Sequence, residues 1–369
     1  VSSRAPLNKA PAAEKPSTAE ELAKRLHEAA KSKSAVVPVG GRRASGMGGA
    51  PARCDVELHT TRLDRVLEHS AADMVVSVEA GITLEAVQAE LAKDGQFLPL
   101  DPFNSPGHTI GGLIATGWSG PLRQRFGSAR DFLIGIRVAL PDGRLASAGG
   151  RVVKNVSGYD LMKLHYGAMG SLGVIVAASF KVYPRPMHDV TVSSTHASMD
   201  DAFKAAEDAL AMPLPPAALE LFSDRRVLAR FFGSPDAVNR MVEELGWQQA
   251  DASAWTEHSR RGPQSWVRVS VPRHALRGIL AALPRDASWW ASPGTGIAHW
   301  SFGDELQSVG EIRGAAERAQ GSLVVMAAPT DVAHRLGAWG TTPATIQIMR
   351  TLKRAFDPDG ILNPGRFVV

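Results

Sequence analysis

Three glycine-rich segments hold the residues whose types and spacing point to chemistry, and all lie in the first half of the chain. They are "PVGGRRASGMGG" (Pro38–Gly49), "GHTIGGLIATGWSGPLRQRFGS" (Gly107–Ser128) and "RVVKNVSGYDLMKLHYGAMGSLGVI" (Arg151–Ile175). Glycine has no Cβ, so a ligand can come close to the backbone and several N–H groups can converge on a phosphate. Turns alone explain one such loop. Three of them, each beside a predicted strand, point to a long ligand held at several places. A pyrophosphate-linked dinucleotide meets that need.

Other phosphate and nucleophile devices fail on their own residues. Gly41 and Gly46 have the spacing of a Walker A loop, but Met47 stands where lysine is required. "GMGGAP" and "GTGIAH" begin as G-x-G and lack the third glycine of the doubly wound dinucleotide fingerprint. The 11 histidines form no H-x-H or H-x-x-x-H pair, so no metal site is expected from this chain. No G-x-S-x-G elbow occurs.

The elements that must position these loops are legible from periodicity. Ser17 and Glu20 read as a capping box opening a helix, with Leu22, Ala23, Leu26 and Ala30 on one face. Ala35–Val39 and Met74–Ala80 read as strands. Thr83 caps a helix with Leu84, Val87 and Leu91 inside, and Gly95 stops it. Leu100–Gly120 reads as a long loop. "IGIRVAL" and "RLASAG" form a hairpin turned by Pro141, Asp142 and Gly143, and Gly173–Pro184 is a long strand. From about residue 186 to 330 strands and helices alternate with few glycine clusters, which predicts an antiparallel sheet covered by helices. Thr342 and Pro343 start a last helix.

Composition bounds the rest. A chain of 369 residues is long enough for two domains, and 44% hydrophobic with 21% charged residues describes a globular protein. The net charge of +4 is dispersed, and no basic run interleaves with aromatics, which argues against nucleic-acid binding. The single cysteine, Cys54, permits no internal disulfide and no iron–sulfur or cysteine-rich zinc site from this chain alone, and it fits a reducing compartment. No apolar stretch approaches the roughly 18 residues of a membrane span. Residues 1–16 are small, polar and proline-rich, and are expected to be a flexible lead-in.

The order of "PVGGRRAS", "VSVEAGITLEAVQAEL", "TIGGLIATGWSG", "GSARDFLIGIRVALPDG", "VKNVSGYDLMKLHYGAMGSLGVI" and the terminal "DPDGILNPGRF" resembles the vanillyl-alcohol-oxidase (PCMH-type) FAD-binding flavoproteins. "KNVSGYDLMKLHYGAMGSLGVI" more closely resembles the FAD-binding E subunits of glycolate oxidase (glycolate dehydrogenase). The resemblance implies an α+β fold. A two-lobed FAD-binding domain would span 17–185, an inserted α+β cap domain (antiparallel sheet plus helices) 186–339, and a C-terminal helix and tail, 340–369, would return to the first domain.

The resemblance also assigns roles. Pro38, Gly40, Gly41, Arg42, Arg43, Ala44 and Ser45 would wrap the FAD pyrophosphate, with a solvated loop as the alternative for the arginines. Thr109, Ile110, Gly111 and Gly112 would lie along the flavin and ribityl chain. Gly117 would lie near the phosphates, and Gly127 and Ser128 match the "GS" that follows, with Asp131 bracing its loop. Gly158 and Tyr159 would wall the flavin side, and Gly173, Val174 and Ile175 would meet the adenine. Lys154 would sit near the flavin or in an ordinary salt bridge. Asn363 and Arg366 would approach the ring or lock the tail. The first loop has no histidine, so FAD is expected to be non-covalent.

Related 2-hydroxy-acid flavoenzymes carry an "HGHxGDGNxH" element that holds a metal and supplies a base. The corresponding region here reads "ASPGTGIAHWSFG" (Ala291–Gly303) and keeps only His299. Oxidising a 2-hydroxy acid needs a base for the hydroxyl and positive charge for the carboxylate. His299 and Arg268 offer both, with a buried strand histidine as the plainer alternative.

The function implied is an FAD-binding subunit of a glycolate oxidase complex. It would turn glycolate into glyoxylate together with a paralogous catalytic flavoprotein and an iron–sulfur subunit, in the cytoplasm or at the inner membrane face through those partners. A self-sufficient dehydrogenase using His299 and a non-catalytic assembly subunit with structural FAD are the alternatives.

Overall fold

Runs of β-branched residues ended by glycine or turn residues build the first lobe. The strand Val36–Val39 pairs in parallel with Val56–His59, which pairs in parallel with Ala12–Glu14. The computed structural model describes residues 10–150 and 159–369. Ala12–Glu14 fall inside the expected flexible lead-in, and their pairing with Val56–Leu58 corrects that expectation from residue 12 onward. The helix Ala19–Lys31 buries Leu22, Ala23, Leu26 and Ala29 against this sheet. Its N-cap is Thr18 rather than Ser17: the Thr18 hydroxyl accepts from the Glu21 amide, and the Glu21 carboxylate accepts from the Ser17 amide.

The second lobe is a five-stranded antiparallel sheet in the order Val66–Ser70, Val75–Glu79, Val174–Lys181, Leu133–Ala139, Leu145–Gly149. The helix Leu84–Ala92 with its Thr83 cap and the hairpin over 133–149 match expectation. The expected loop over Leu100–Gly120 contains the helix Ile110–Thr116. Two adjacent glycines hid it. Gly111 is needed because a Cβ there would lie 2.9 Å from the Ala80 Cβ, and Thr109 caps the turn by accepting from the Gly112 amide.

Beyond residue 186 an eight-stranded antiparallel sheet runs Gln248–Ala250, His188–Thr195, Arg226–Gly233, Ala218–Phe222, Ser288–Ser292, Ile297–Ser301, Trp266–Ser270, Ser322–Ala327. The strand His188–Thr195 was not read from the sequence. The period of two sorts its residues. Leu219, Leu221, Val267, Val269, Ala298 and Trp300 face the helices Met199–Leu210, Pro235–Leu245, Arg273–Ala281 and Leu306–Arg318. Phe222, Trp266 and Trp290 face the other way, into one core shared with Ile110, Leu113, Trp118 and Phe132. Glu220, Arg268 and His299 alternate with the helix-facing residues, so they also point toward the glycine loops. After the helix Ile346–Phe356 the tail rejoins the first sheet: the Val36 amide donates to the Ile361 carbonyl and the Asn363 amide to the Val36 carbonyl.

Candidate functional site

The loop leaving Val39 and the turn before Ile110 lie face to face. A Cβ on Gly40 would stand 2.3 Å from the Thr109 hydroxyl, and one on Gly41 would stand 1.9 Å from the Gly107 carbonyl oxygen. Only glycine permits that approach. The two loops open a cleft lined by Pro38, Gly40, Gly41, Arg42, Arg43, Ala44, Ser45, Thr109, Gly112 and Asn363. An adjoining recess adds Gly111, Gly173, Val174 and Ile175. Residues separated by more than 300 positions in the chain therefore meet in one place.

The other expected binding residues lie elsewhere. Ile110 is fully buried in the core beneath the loop. Gly117 ends its helix at φ 65°, with its carbonyl accepting from the Tyr166 hydroxyl. Ser128 is tied to Asp131 through its amide and hydroxyl, so this turn braces itself, and Gly127 precedes it at φ 82°. Tyr159 is 89% exposed. Gly158 and Lys154 lie outside the described residues.

Two arginines and an asparagine shape the cleft. Arg42, at φ 57°, bonds the Glu57 carboxylate at 2.5 Å, which holds that carboxyl below its usual range, so its charge is already matched. Arg366 sits beneath the first loop, and one guanidinium nitrogen donates to the carbonyls of Ala44, Ser45 and Met47 at 3.2, 3.0 and 2.8 Å. It locks the tail and shapes the loop from below. Asn363 donates through Nδ2 to the Met169 carbonyl at 2.5 Å, while its buried Oδ1 has no partner among the described residues. A buried acceptor left open on a cleft wall is costly unless a ligand donor meets it. The glycine cradle and this open acceptor fit a nucleotide with polar edges and two phosphates.

Sequence reasoning missed His108, Cys54, Met169 and Gly170, which also line the cleft. His108 is buried, donates from Nε2 to the Phe103 carbonyl at 2.8 Å, and is held below its ordinary pKa by that burial. Cys54 is pushed up by burial, then by Glu57 and Asp55. Met169 and Gly170 lie within the quoted third segment. His108 stands directly before Thr109. Neighbourhood in the motif was the available signal.

Arg268 and His299 are directly opposite each other on adjacent strands. His299 stacks on Trp290 at 5.1 Å and lies 4.9 Å from the Phe103 ring. Burial drives its pKa well below the ordinary value, with Arg268 and then His258 adding to the effect. It is therefore a neutral imidazole. Its Nδ1 and the Arg268 Nε have no partners among the described residues. Neither residue lines the cleft itself. Trp266 contacts both His299, at 5.3 Å, and Trp118, at 5.6 Å, and Trp118 contacts His108 at 5.3 Å. Along this path two tryptophan rings stand between His299 and the cleft-lining His108. Among the described residues no group of three or more His, Cys, Asp or Glu is placed to hold a metal ion.

Sequence comparison matches residues 10–149 to the FAD binding domain and residues 338–367 to the FAD linked oxidases, C-terminal domain. Glycolate oxidase subunit GlcE of Escherichia coli is 30% identical over 82% of this chain and 84% of its own length. The chain belongs to the PCMH-type FAD-linked oxidoreductases related to that subunit. A D-lactate dehydrogenase of Archaeoglobus fulgidus is 32% identical, over 96% of this chain and 90% of its own length. The solved structure of alkyldihydroxyacetonephosphate synthase superposes with a TM-score of 0.73 at 17% identity, covering 95% of this chain and 76% of that one, and so shares the fold. As a member of this flavoprotein family the chain takes FAD, and it does so non-covalently. Among the described residues no helix is long and apolar enough to cross a membrane.

Proposed function

We propose that this flavoprotein is the FAD-binding subunit of a glycolate oxidase-type complex. It would act on the CH–OH group of a small 2-hydroxy acid, beside a paralogous flavoprotein and an iron–sulfur subunit. The similarity to glycolate oxidase subunit GlcE and to D-lactate dehydrogenases supports the substrate class. The observation that carries it is the buried pair of a neutral imidazole and a guanidinium, His299 and Arg268, which lie opposite each other on the sheet face turned toward the glycine-loop half of the chain.

Bound FAD supplies an acceptor for the two electrons and the hydrogen leaving the hydroxyl-bearing carbon. In this reading the glycine loops and Asn363 hold the cofactor. Arg268 takes the carboxylate, and the surrounding tryptophans exclude water. His299 Nδ1 offers an acceptor for the hydroxyl proton. The test is anaerobic addition of glycolate, and of D-lactate, to the FAD-loaded chain. Bleaching of the flavin is expected from the chain alone or within its reconstituted complex. Flavin that stays oxidised in both settings overturns the reading.

The layer of Trp118 and His108 favours a second reading, an assembly subunit whose FAD is structural. There the flavin stays oxidised within a turning-over complex, yet its removal dissolves the complex.

A further inference from the structure

A cavity of about 390 Å³ lies between the two halves of the chain and shares no lining residue with the glycine-loop cleft. The first half contributes Glu85, Asp101 and Phe103, and the second contributes Arg230, Trp255 and His258. Its size is that of a small-ligand pocket. Phe103 and Trp255 give it a buried aromatic wall. The Trp255 ring is held in place by its N–H, which donates to the Thr191 hydroxyl at 3.1 Å. Asp101 and Arg230 also line an adjoining cavity, whose other charged groups are Asp189 and the exposed Arg185.

The charges around the first cavity do not balance. Arg230 grips both oxygens of Asp189, at 2.9 and 2.6 Å, so its charge is already matched. Glu85 accepts from the Ser105 hydroxyl and the Gly107 amide, and Asp101 accepts from the Leu122 amide. Among the described residues neither carboxyl is bonded to a cation. Burial pushes Asp101 up to about 8, with the Leu122 amide and Arg230 pulling it down and Glu220 pushing it up. His258 is 3% exposed, and neither of its ring nitrogens has a hydrogen-bond partner among the described residues. Its Nε2 stands 3.8 Å from the Glu220 carboxylate, too far for a hydrogen bond. A buried carboxyl without a cation keeps its proton, and a cation brought beside it restores the ionised form. Aromatic faces attract the same cation.

We propose that this cavity is a second ligand site, for a small organic ammonium ion with an apolar body. The charged head lies against Asp101 and Glu85, and the body lies against Phe103 and Trp255. The site is separate from the FAD cleft and does not depend on the substrate proposed above. Because its wall comes from both halves of the chain, a bound ligand ties them together and raises Tm. An anion is disfavoured there, since Asp189 already holds Arg230 and the two remaining carboxyls face the cavity.

The test titrates the FAD-loaded full chain with benzylamine, a cation at pH 7, and with benzyl alcohol and benzoate, which keep the ring and change the charge. Calorimetry in buffers of different ionisation enthalpy counts the protons exchanged. Benzylamine is expected to bind and to release about one proton at pH 7, because Asp101 ionises to meet it. Its affinity is expected to rise by up to about tenfold per pH unit between pH 6 and pH 8. Asp101→Asn is expected to abolish the proton release and to weaken binding by about 10-fold or more. Glu85→Gln weakens binding less and keeps the release. Three results overturn the proposal: no benzylamine binding, benzylamine binding without proton release, or benzyl alcohol or benzoate binding as tightly. If Asp101→Asn does not fold, the wild-type profile decides, and an affinity for benzylamine that is flat from pH 6 to pH 8 overturns the proposal. Flavin bleaching by glycolate is a separate readout, so this site and the substrate reading above stand or fall independently.

Discussion

Gly41 has the tightest backbone approach in the cleft, and its substitution tests the site most directly. A methyl group there would meet the Gly107 carbonyl, a backbone atom that cannot swing away. Relief of such an overlap costs about 1–3 kcal/mol. Gly41→Ala is expected to weaken FAD binding by about 10- to 100-fold. Flavin titration with fluorescence checks this, with circular dichroism to verify folding. Asp101 carries a different signal. Burial pushes its carboxyl up from 3.8 to about 8, against the pull of the Leu122 amide. Between those values the unfolded chain is ionised and the folded chain keeps its proton, so stability falls as pH rises through the window. Asp101→Asn is expected to raise Tm relative to wild type, with the gain growing from pH 5 to pH 8. A pH-independent difference in thermal melts contradicts the assignment.

At the scale of elements, the cleft depends on pieces that bring their own caps and locks. The helix Ile110–Thr116 starts at Thr109, so the residue that caps it also faces Gly40. The tail is tied twice. Lys353 bonds the Ser171 and Leu362 carbonyls and the Asp357 carboxylate, and Arg366 holds three carbonyls of the first loop. Arg366→Ala leaves those acceptors without their donor, at about 1–3 kcal/mol. Expected results are a lower Tm and faster flavin loss on dilution. Arg366→Lys restores only part of this, because an ammonium cannot reproduce the fork of a guanidinium.

At the scale of the molecule, the eight-stranded sheet is sandwiched between its own helices and the first half of the chain. Phe222, Phe232, Trp266, Trp290 and Met326 belong to the core shared with the glycine-loop half. The segment 186–339 expressed alone would leave that face bare. It is expected to bind a hydrophobic dye strongly and to elute as aggregates in size-exclusion chromatography, whereas the full chain does neither. A monomeric, dye-silent segment would show that this face is dispensable for folding.

Local signals settled much of this in advance. Glycine spacing marked the three segments that line the cleft and its adjoining recess, the alternation of strands and helices beyond residue 186 predicted the antiparallel sheet, and Thr83 marked a helix start. Those properties reside in neighbouring residues and survive without a fold. Where a residue points depends on distant partners. Sequence alone could not join Asn363 to Gly40, place Arg366 under the first loop, or set His258 against Glu220, because each pairing spans segments that only packing brings together. Nor could it separate His299 from the cleft by Trp118 and Trp266. The residues able to bind a flavin nucleotide were written locally. The access of any acid–base pair to it was decided by how the two halves of the chain close on each other.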